Sequence, residues 1–177
     1  MTSPDTKPPN RWRADFTQHT RMKILVIDDS PANVALLEAM LSESGFTRVS
    51  SITDSRLALD TCNTFKPDLI LLDLMMPYLD GFAILESLRA EGAEIFLPVI
   101  VLTADISEEI KQRALSAGAT DFLLKPFDHL EVLLRIANLL EMRRLHVQLD
   151  NQRAAYEEAL RARSLELREA NLQNARP

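Results

Sequence analysis

The chain has 177 residues, of which 46% are hydrophobic and 26% charged, a composition typical of one globular domain with an additional segment. No apolar run approaches the roughly 20 residues that a membrane span needs, and the N-terminus lacks the apolar region of a secretory signal, so no membrane partner is expected. A single cysteine, Cys62, excludes an internal disulfide and a cysteine-based zinc site, and it favours a reducing cytoplasmic location.

The net charge of −6 is concentrated in the middle of the chain. Residues 21–140 carry ten basic and eighteen acidic side chains, whereas residues 141–177 carry seven and six. A protein that binds a phosphate backbone needs clustered lysine and arginine side chains. Direct binding of nucleic acid is therefore not expected.

Residues 1–21 contain three prolines among polar residues and are predicted to form a flexible N-terminal arm. From residue 22 to residue 141, short apolar segments alternate with helical segments. The predicted strands are residues 23–27, 48–52, 68–74, 98–103 and 121–125. Predicted helices begin near residues 31, 54, 81, 107 and 127. This alternation predicts an α/β fold: a flavodoxin-like, doubly wound parallel sheet in the order 2-1-3-4-5, with helices on both faces.

Local signals mark the ends of two predicted helices. Ser30 and Pro31 supply an N-cap and a first-turn proline for the first helix, and Gly45 stands where a glycine commonly ends a helix. Gly118 is placed in the same way after the fourth helix.

The last helix is predicted to continue beyond the domain, so that residues 142–177 form a helical extension. Residues 128–171 contain neither glycine nor proline and consist mostly of strong helix formers. A heptad pattern places apolar side chains at most seam positions and is interrupted by His146, Arg153 and Arg163. It favours a coiled-coil homodimer over a single solvated helix with i,i+4 charge pairs, and both over a basic DNA-binding helix. The predicted dimer contacts are Leu139, Met142, Leu149, Tyr156, Leu160 and Leu167.

Polar side chains gather where four of the five predicted strands end; they are Asp28, Asp29, Asp73, Thr103 and Lys125. In an open α/β sheet, ligands bind beyond the carboxyl ends of the strands where the strand order reverses, here between strands one and three. Three crowded carboxylates cannot all stay ionised without compensation. Mg²⁺ is the favoured compensation, and a cluster with one protonated acid is the alternative.

A carboxylate beside Mg²⁺ can act as a nucleophile toward phosphorus and form an acyl phosphate. Mg²⁺, the Lys125 ammonium and the Thr103 hydroxyl would supply the positive charge and the donors that phosphoryl oxygens need. Because the sequence shows no glycine-rich phosphate loop, the phosphoryl donor is expected to be another phosphorylated protein.

Four motifs in order resemble those of the response-regulator receiver domain of two-component systems, over roughly residues 22–140. They are Asp28-Asp29, DLMMPYLDGF around Asp73, LTA around Thr103 and LLKPF around Lys125. The resemblance implies that Asp73 accepts phosphate from a histidine kinase or a histidine phosphotransferase. It also implies a Mg²⁺ site made of Asp28, Asp29, Asp73 and the backbone carbonyl of Met75.

The same resemblance implies roles for residues around the phosphoryl group. Thr103, the backbone N–H of Ala104 and Lys125 would bind it, and the bond before Pro126 resembles the family's cis peptide. Thr103 and Phe122 would move together and change the face built from the fourth helix, the fifth strand and the fifth helix. Phe122 can equally be a plain core aromatic.

Two further positions are expected to tune the lifetime of the phosphoryl group. Met75 and Asp105 each lie two residues after a site residue, where their side chains would overlook the attacking water. Met75 cannot hydrogen-bond to water, so slow self-dephosphorylation is expected. Asp105 could repel or orient that water.

Two other functions compete with a signalling switch. A phosphohydrolase with an aspartate nucleophile and Mg²⁺ usually carries two aspartates two residues apart after its first strand, whereas here the paired acids are adjacent. A scaffold with a degenerate pocket is disfavoured because all five key positions are present. We therefore expect no enzymatic activity beyond the domain's own phosphorylation and dephosphorylation. Whether a cyclic-dinucleotide enzyme or a kinase serves as the output stays open.

Overall fold

The fold is that of a computed structural model, which describes residues 19–90, 96–104 and 107–174. The chain divides into two compact units between Arg143 and Arg144. Within the described residues the first unit contains one sheet of five strands, β1 (Ile24–Ile27), β2 (Val49–Ile52), β3 (Leu69–Asp73), β4 (Val99–Thr103) and β5 (Asp121–Leu124). All pairings are parallel and the order is β2-β1-β3-β4-β5, which confirms the predicted fold class.

In the part of the chain that the structure describes, five α-helices connect and follow the strands. They are α1 (Pro31–Glu43), α2 (Ala58–Phe65, after a 3₁₀ turn at Ser55–Leu57), α3 (Gly81–Ala90), α4 (Glu108–Ser116) and α5 (His129–Asn174). The residues predicted to mark helix ends do so in the structure. The Ser30 side chain accepts a hydrogen bond from the Asn33 amide at the start of α1. Gly45 and Gly118 have φ angles of +90° and +106°, which a residue with a Cβ rarely adopts.

The three central strands, β1, β3 and β4, are buried on both faces, and alternate residues along each strand point to opposite sides. On one side, residues such as Ile24 and Val26 pack against α1 and the first three turns of α5. On the other side, Leu25 and Ile27 pack against α2, α3 and α4. Fully burying one such aliphatic side chain contributes about 1.5–3 kcal/mol, so the two layers hold the strand ends in fixed positions.

The first described residues and residues 141–143 of α5 make contacts near the amino edge of the sheet. His19 is buried, and its Nε2 lies 3.4 Å from the Glu141 carboxylate. Arg143 donates a hydrogen bond of 2.7 Å from Nη1 to the carbonyl of Phe96, and its Nε lies 3.7 Å from Asp68. His19 and Thr20, which the sequence predicted to belong to the flexible arm, are therefore part of the packed unit.

The second unit is the remainder of α5, from Arg144 to Asn174. None of its described side chains from Arg144 to Arg168 is buried, and its large apolar side chains face solvent. The exposed ones are Leu145, Leu149, Tyr156, Leu160, Leu165 and Leu167. Of the other predicted dimer contacts, Met142 is exposed, but Leu139 is buried in the core of the first unit. Within the described residues, no helix combines the length and the apolar character that crossing a bilayer requires.

Candidate functional site

Three carboxylates meet at the carboxyl edge of the sheet, as the strand pattern predicts. Asp28 follows β1 and Asp73 ends β3, and the pairing of Ile27 with Leu72 brings these two strand ends side by side. One oxygen from each of Asp28, Asp29 and Asp73 lies within 4.8 Å of the others. Asp28 and Asp73 are buried, whereas Asp29 is more accessible to solvent.

The Asp28 carboxylate is held by the turn that starts α1. Its Oδ1 accepts a hydrogen bond of 2.9 Å from the Ser30 amide. Asn33 Nδ2 donates to both oxygens, at 3.1 and 3.0 Å. Asn33 was not among the predicted site residues, because an asparagine in the first turn of a helix is common and its link to Asp28 appears only in three dimensions.

Lys125 bridges two of the three acids. Its Nζ lies 2.9 Å from Asp28 Oδ2 and 3.0 Å from Asp73 Oδ2. The side chain is brought there by β5, whose continuation is fixed by a 2.9 Å hydrogen bond from the Lys125 amide to the Thr103 carbonyl. The peptide bond between Lys125 and Pro126 is cis, as the resemblance implies.

Burial and pairing act in opposite directions on these groups. Burial of Asp73 raises the pKa of its carboxyl group above the ordinary value, although Lys125 acts to lower it; the neighbouring Asp28 raises it further. Burial of Lys125 acts to lower its pKa, but the hydrogen bonds to Asp28 and Asp73 outweigh this and leave the pKa raised. Lys125 is therefore a cation at neutral pH, and Asp73 is a more basic carboxylate than a solvent-exposed one.

The loop that follows Asp73 turns tightly back on β3. The amide of Met75 donates to Asp73 Oδ1 at 3.3 Å, and the amide of Gly81 donates to the Leu74 carbonyl at 3.0 Å. A Cβ on Gly81 would collide with the Asp73 carbonyl and with the Leu74 backbone. A glycine is therefore required at the start of α3 so that the helix can approach the end of β3 this closely.

The remaining predicted residues lie around the same edge, with one outside the described range. Thr103 is buried at the end of β4, and Ala104 follows it on the surface. Phe122 on β5 is half-buried among core residues, and Lys111 Nζ lies 5.3 Å from its ring centroid. The Met75 side chain is 76% exposed. Asp105 lies outside the described residues.

The donor set fits a hard divalent cation. Carboxylate oxygens, with at least one residue open to solvent for retained waters, are what Mg²⁺ prefers in proteins. The paired acids are adjacent and follow β1, while the buried Asp73 carboxylate ends β3. This differs from the spacing of the aspartates in the phosphohydrolases considered above.

Comparison with known proteins identifies the family. The model of the response regulator receiver domain matches residues 24–138, which include all five predicted strand-end residues. The chain belongs to the receiver-domain family. Receiver domains are in general signalling domains that accept phosphate in two-component systems and bind Mg²⁺ at an acidic pocket, rather than enzymes.

Several relatives resemble the receiver domain of this chain. It is 39% identical over 117 residues to the response regulator PleD of Caulobacter vibrioides, covering 66% of this chain and 26% of PleD. A solved structure of the receiver domain of the sensor histidine kinase PA1611 from Pseudomonas aeruginosa PAO1 has a magnesium ion coordinated in the active site cleft. It is 31% identical, with a TM-score of 0.63, covering 68% of this chain and 98% of that one.

A third relative is described as a two-component system response regulator/ggdef domain protein. Its solved structure is 27% identical with a TM-score of 0.68, and the match covers 73% of this chain and 53% of that chain. The match to PleD and to six other curated response regulators and regulatory proteins spans between 18% and 52% of their length.

Proposed function

We propose that this chain is a response regulator whose Asp73 accepts a phosphoryl group from a histidine kinase or a histidine phosphotransferase. The observation that carries the proposal is the buried Asp73 carboxylate, clustered with two further aspartates and paired with Lys125 at 3.0 Å. A cation fixed beside a basic carboxylate is suited to bring the nucleophile and a negatively charged phosphoryl group together.

In the proposed transfer, an Asp73 carboxylate oxygen attacks phosphorus and forms the P–O bond of an acyl phosphate. The P–N bond to the donor imidazole breaks, and its electron pair stays on the imidazole nitrogen. Lys125, the Thr103 hydroxyl and the Ala104 amide would donate hydrogen bonds to the phosphoryl oxygens. Asp28, Asp29, Asp73 and the Met75 carbonyl would hold Mg²⁺, which when bound neutralises charge on those oxygens.

The direct test is phosphorylation by acetyl phosphate in the presence of Mg²⁺, read by phosphate-affinity electrophoresis. The wild type should be modified and Asp73→Asn should not. Asp80→Asn is the matched control, because Asp80 lies in the same loop and its Oδ1 caps α3 through Ala83, a bond that asparagine preserves. Equal labelling of wild type and Asp73→Asn would refute the proposal, and so would steady turnover of a chromogenic phosphate ester.

We further propose that the phosphoryl group is sensed by Thr103 and Phe122 and that the face formed by α4, β5 and α5 responds. Thr103 on β4 is paired with Leu124 on β5, so a shift of the threonine would displace the strand that carries Phe122. Phe122 is half-buried, and in this proposal its ring changes rotamer when Thr103 moves. Because α5 begins four residues after Lys125, the response would reach that helix.

We also propose that α5, from Met142 onward, pairs with a second copy of this chain as a coiled coil. Met142, Leu149, Tyr156, Leu160 and Leu167 are all exposed at heptad spacing. The charged interruptions are balanced within the chain: Arg153 pairs with Glu157 at 3.0 Å, and Arg163 pairs with Glu166 at 3.1 Å. Leu139 is buried in the receiver core, so we leave it out of the proposed seam.

Size-exclusion chromatography with multi-angle light scattering tests this pairing. The wild type and Asp73→Asn are compared with Mg²⁺, with and without beryllofluoride, which stands in for the phosphoryl group on an aspartate. A change of mass in the wild type alone would show a phosphorylation-dependent dimer, and a constant dimer would make the second unit a fixed coupler. A monomer under all conditions would overturn the coiled coil.

Met75 is proposed to slow the loss of the phosphoryl group, because its exposed thioether side chain cannot orient an attacking water. Met75→Asn should therefore shorten the half-life of phosphorylated Asp73, and Met75→Leu, which is equally apolar, should leave it unchanged. The half-life is followed as the decay of the phosphorylated band after removal of acetyl phosphate. A longer half-life for Met75→Asn would contradict this role.

Finally, we propose that the switch works in the cytoplasm and that α5 couples it to an effector, such as a cyclic-dinucleotide enzyme or a kinase. Support for the coupling role comes from the exposed apolar seam of the second unit and from the solved relative that combines a response regulator with a ggdef domain. Direct binding to nucleic acid is not part of the proposal.

A further inference from the structure

The loop of residues 74–80, called here the acceptor loop, connects Asp73 to α3 and carries the Met75 carbonyl. Its base is closed by the hydrogen bond between Gly81 and Leu74. Its tip, at residues 77–79, is held by a different element: the 3₁₀ turn that follows the edge strand β2.

Ser55 makes the contact between that turn and the acceptor loop. The side chain is 2% exposed, and its hydroxyl donates to the Pro77 carbonyl at 2.6 Å. The same oxygen accepts a hydrogen bond of 3.1 Å from the Leu79 amide. Both hydrogen bonds of this buried hydroxyl therefore end on backbone groups of one loop, on either side of Tyr78.

Tyr78 itself is held in an uncommon backbone conformation, with a φ of +70°. Its exposed ring lies under the guanidinium of Arg56, 4.4 Å from the centroid. Arg56 is in turn oriented by Asp54, at 3.0 Å from Nε to Oδ1 and 2.7 Å from Nη2 to Oδ2. The residues on both sides of Ser55 along the chain thus support the same loop tip.

Met75 lies between the closed base and the tip held by Ser55. A carbonyl in a short loop that is fixed at both ends cannot reorient freely, so its direction depends on both attachments. We propose that Ser55 is a positioning residue for the Mg²⁺ site, acting through the acceptor loop on the Met75 carbonyl. This inference rests on the proposed function and extends it to the turn after β2, whose strand end carries no charged site residue.

The test compares Mg²⁺ dissociation constants, measured by isothermal titration calorimetry without any phosphodonor, for wild type, Ser55→Ala and Ser51→Ala. Ser55→Ala should bind Mg²⁺ about tenfold more weakly, the lower end of the effect expected for groups that orient a metal ligand. Ser51→Ala is the matched control, since Ser51 lies on β2 and its hydroxyl bonds to Glu38 instead. Its affinity should equal that of the wild type.

Two further measurements separate positioning from a merely structural role. Phosphorylation of Ser55→Ala by acetyl phosphate should be slow at low Mg²⁺ and recover at saturating Mg²⁺. Amide hydrogen exchange should accelerate within residues 74–80. If Ser55→Ala does not fold, Ser55→Cys keeps a similar side-chain volume and weakens both hydrogen bonds, because a thiol is a poor donor and acceptor.

A variant that is less stable but binds Mg²⁺ as tightly as the wild type would overturn the inference and leave the proposed function intact. A wild type that binds no Mg²⁺ would instead overturn the metal site on which the proposed function rests. The two failures are therefore distinguishable in one experiment.

Discussion

The two units of this chain use leucine in opposite ways. In the first unit, Leu140 on α5 is fully buried in the core that packs on the sheet, and Leu133 and Leu139 are nearly so. In the second unit, on the same helix, Leu160 is 52% exposed and Leu167 is 53% exposed. One residue type thus builds a core in one unit and an uncovered surface in the other.

This difference shows that the spacing of hydrophobic residues along a helix predicts an apolar face but does not predict which element packs against that face. In the first unit the cover is supplied by the strands of the same chain, whereas in the second the described residues of the chain leave the face open. Apolar side chains at regular helical spacing gain stability only when they are removed from water. The stability of the second unit should therefore depend on protein concentration, and that of the first should not.

The largest expected effect comes from making the same leucine-to-alanine change in each unit. Leu140→Ala should lower the free energy of unfolding of the first unit by about 2–5 kcal/mol, because it leaves a cavity in a closed core. Leu160→Ala should leave that unit's unfolding unchanged and should weaken self-association. Urea denaturation and light scattering at several concentrations separate the two results. Equal destabilisation by both substitutions would abolish the distinction between the units.

A smaller effect is expected from removing an arginine in each unit. Arg143 is mostly buried and donates a hydrogen bond of 2.7 Å to the Phe96 carbonyl. Arg143→Ala should therefore lower the free energy of unfolding of the first unit by about 1–3 kcal/mol. Arg153 is 77% exposed and pairs only with Glu157 on the next helical turn among the described contacts, so Arg153→Ala should have no measurable effect on thermal unfolding. Thermal melts at one low protein concentration make the comparison. If Arg153→Ala lowered the melting temperature more than Arg143→Ala does, Arg153 would have to make a stabilising contact besides the one with Glu157.

The smallest effect concerns pH and belongs to the first unit alone. Because the folded-state pKa of Asp73 is raised, ionising this carboxyl costs stability, and the cost appears as pH rises from its ordinary pKa of 3.8 through the raised value. Asp73→Asn should therefore be more stable than the wild type at neutral pH without Mg²⁺. This difference in the free energy of unfolding should become smaller as the pH falls toward 4. Added Mg²⁺ should reduce this difference in the free energy of unfolding at neutral pH, because the cation would stabilise the ionised Asp73 of the wild type.

Thermal unfolding between pH 4 and 8 checks this prediction, with Asp80→Asn as the control for an exposed carboxylate in the same loop. A wild type that matches Asp73→Asn at every pH would mean that Lys125 fully offsets the burial of Asp73.

Much of the fold and of the site was predictable from sequence because its signals are local. A buried parallel strand is a short apolar run, and the polar residue that ends it, such as Asp73 or Thr103, must lie at the ligand-binding edge. Helix ends could also be predicted from the sequence, because Ser30 and Gly45 act on backbone groups only a few residues away.

Two residues that support the site were missed: Asn33, which holds the Asp28 carboxylate, and Ser55, which acts on backbone atoms far along the chain. Ser55 holds Pro77 and Leu79, 22 and 24 residues away, and a serine after an edge strand carries no signal of such partners. Leu139 shows the converse error: it fits the heptad, but the sheet of its own domain covers it first. Periodicity identifies an apolar face, and only tertiary packing decides its partner.

The bridge from Lys125 to Asp28 spans 97 residues of sequence. During synthesis from the N-terminus, the two buried aspartates emerge long before their cation, and β5 must join the sheet before the bridge can form. A chain cut short before residue 125 would lack both this cation and the α5 residues that pack on the sheet. The proposed phosphoryl-acceptor site is therefore complete only once the last strand of the sheet is in place.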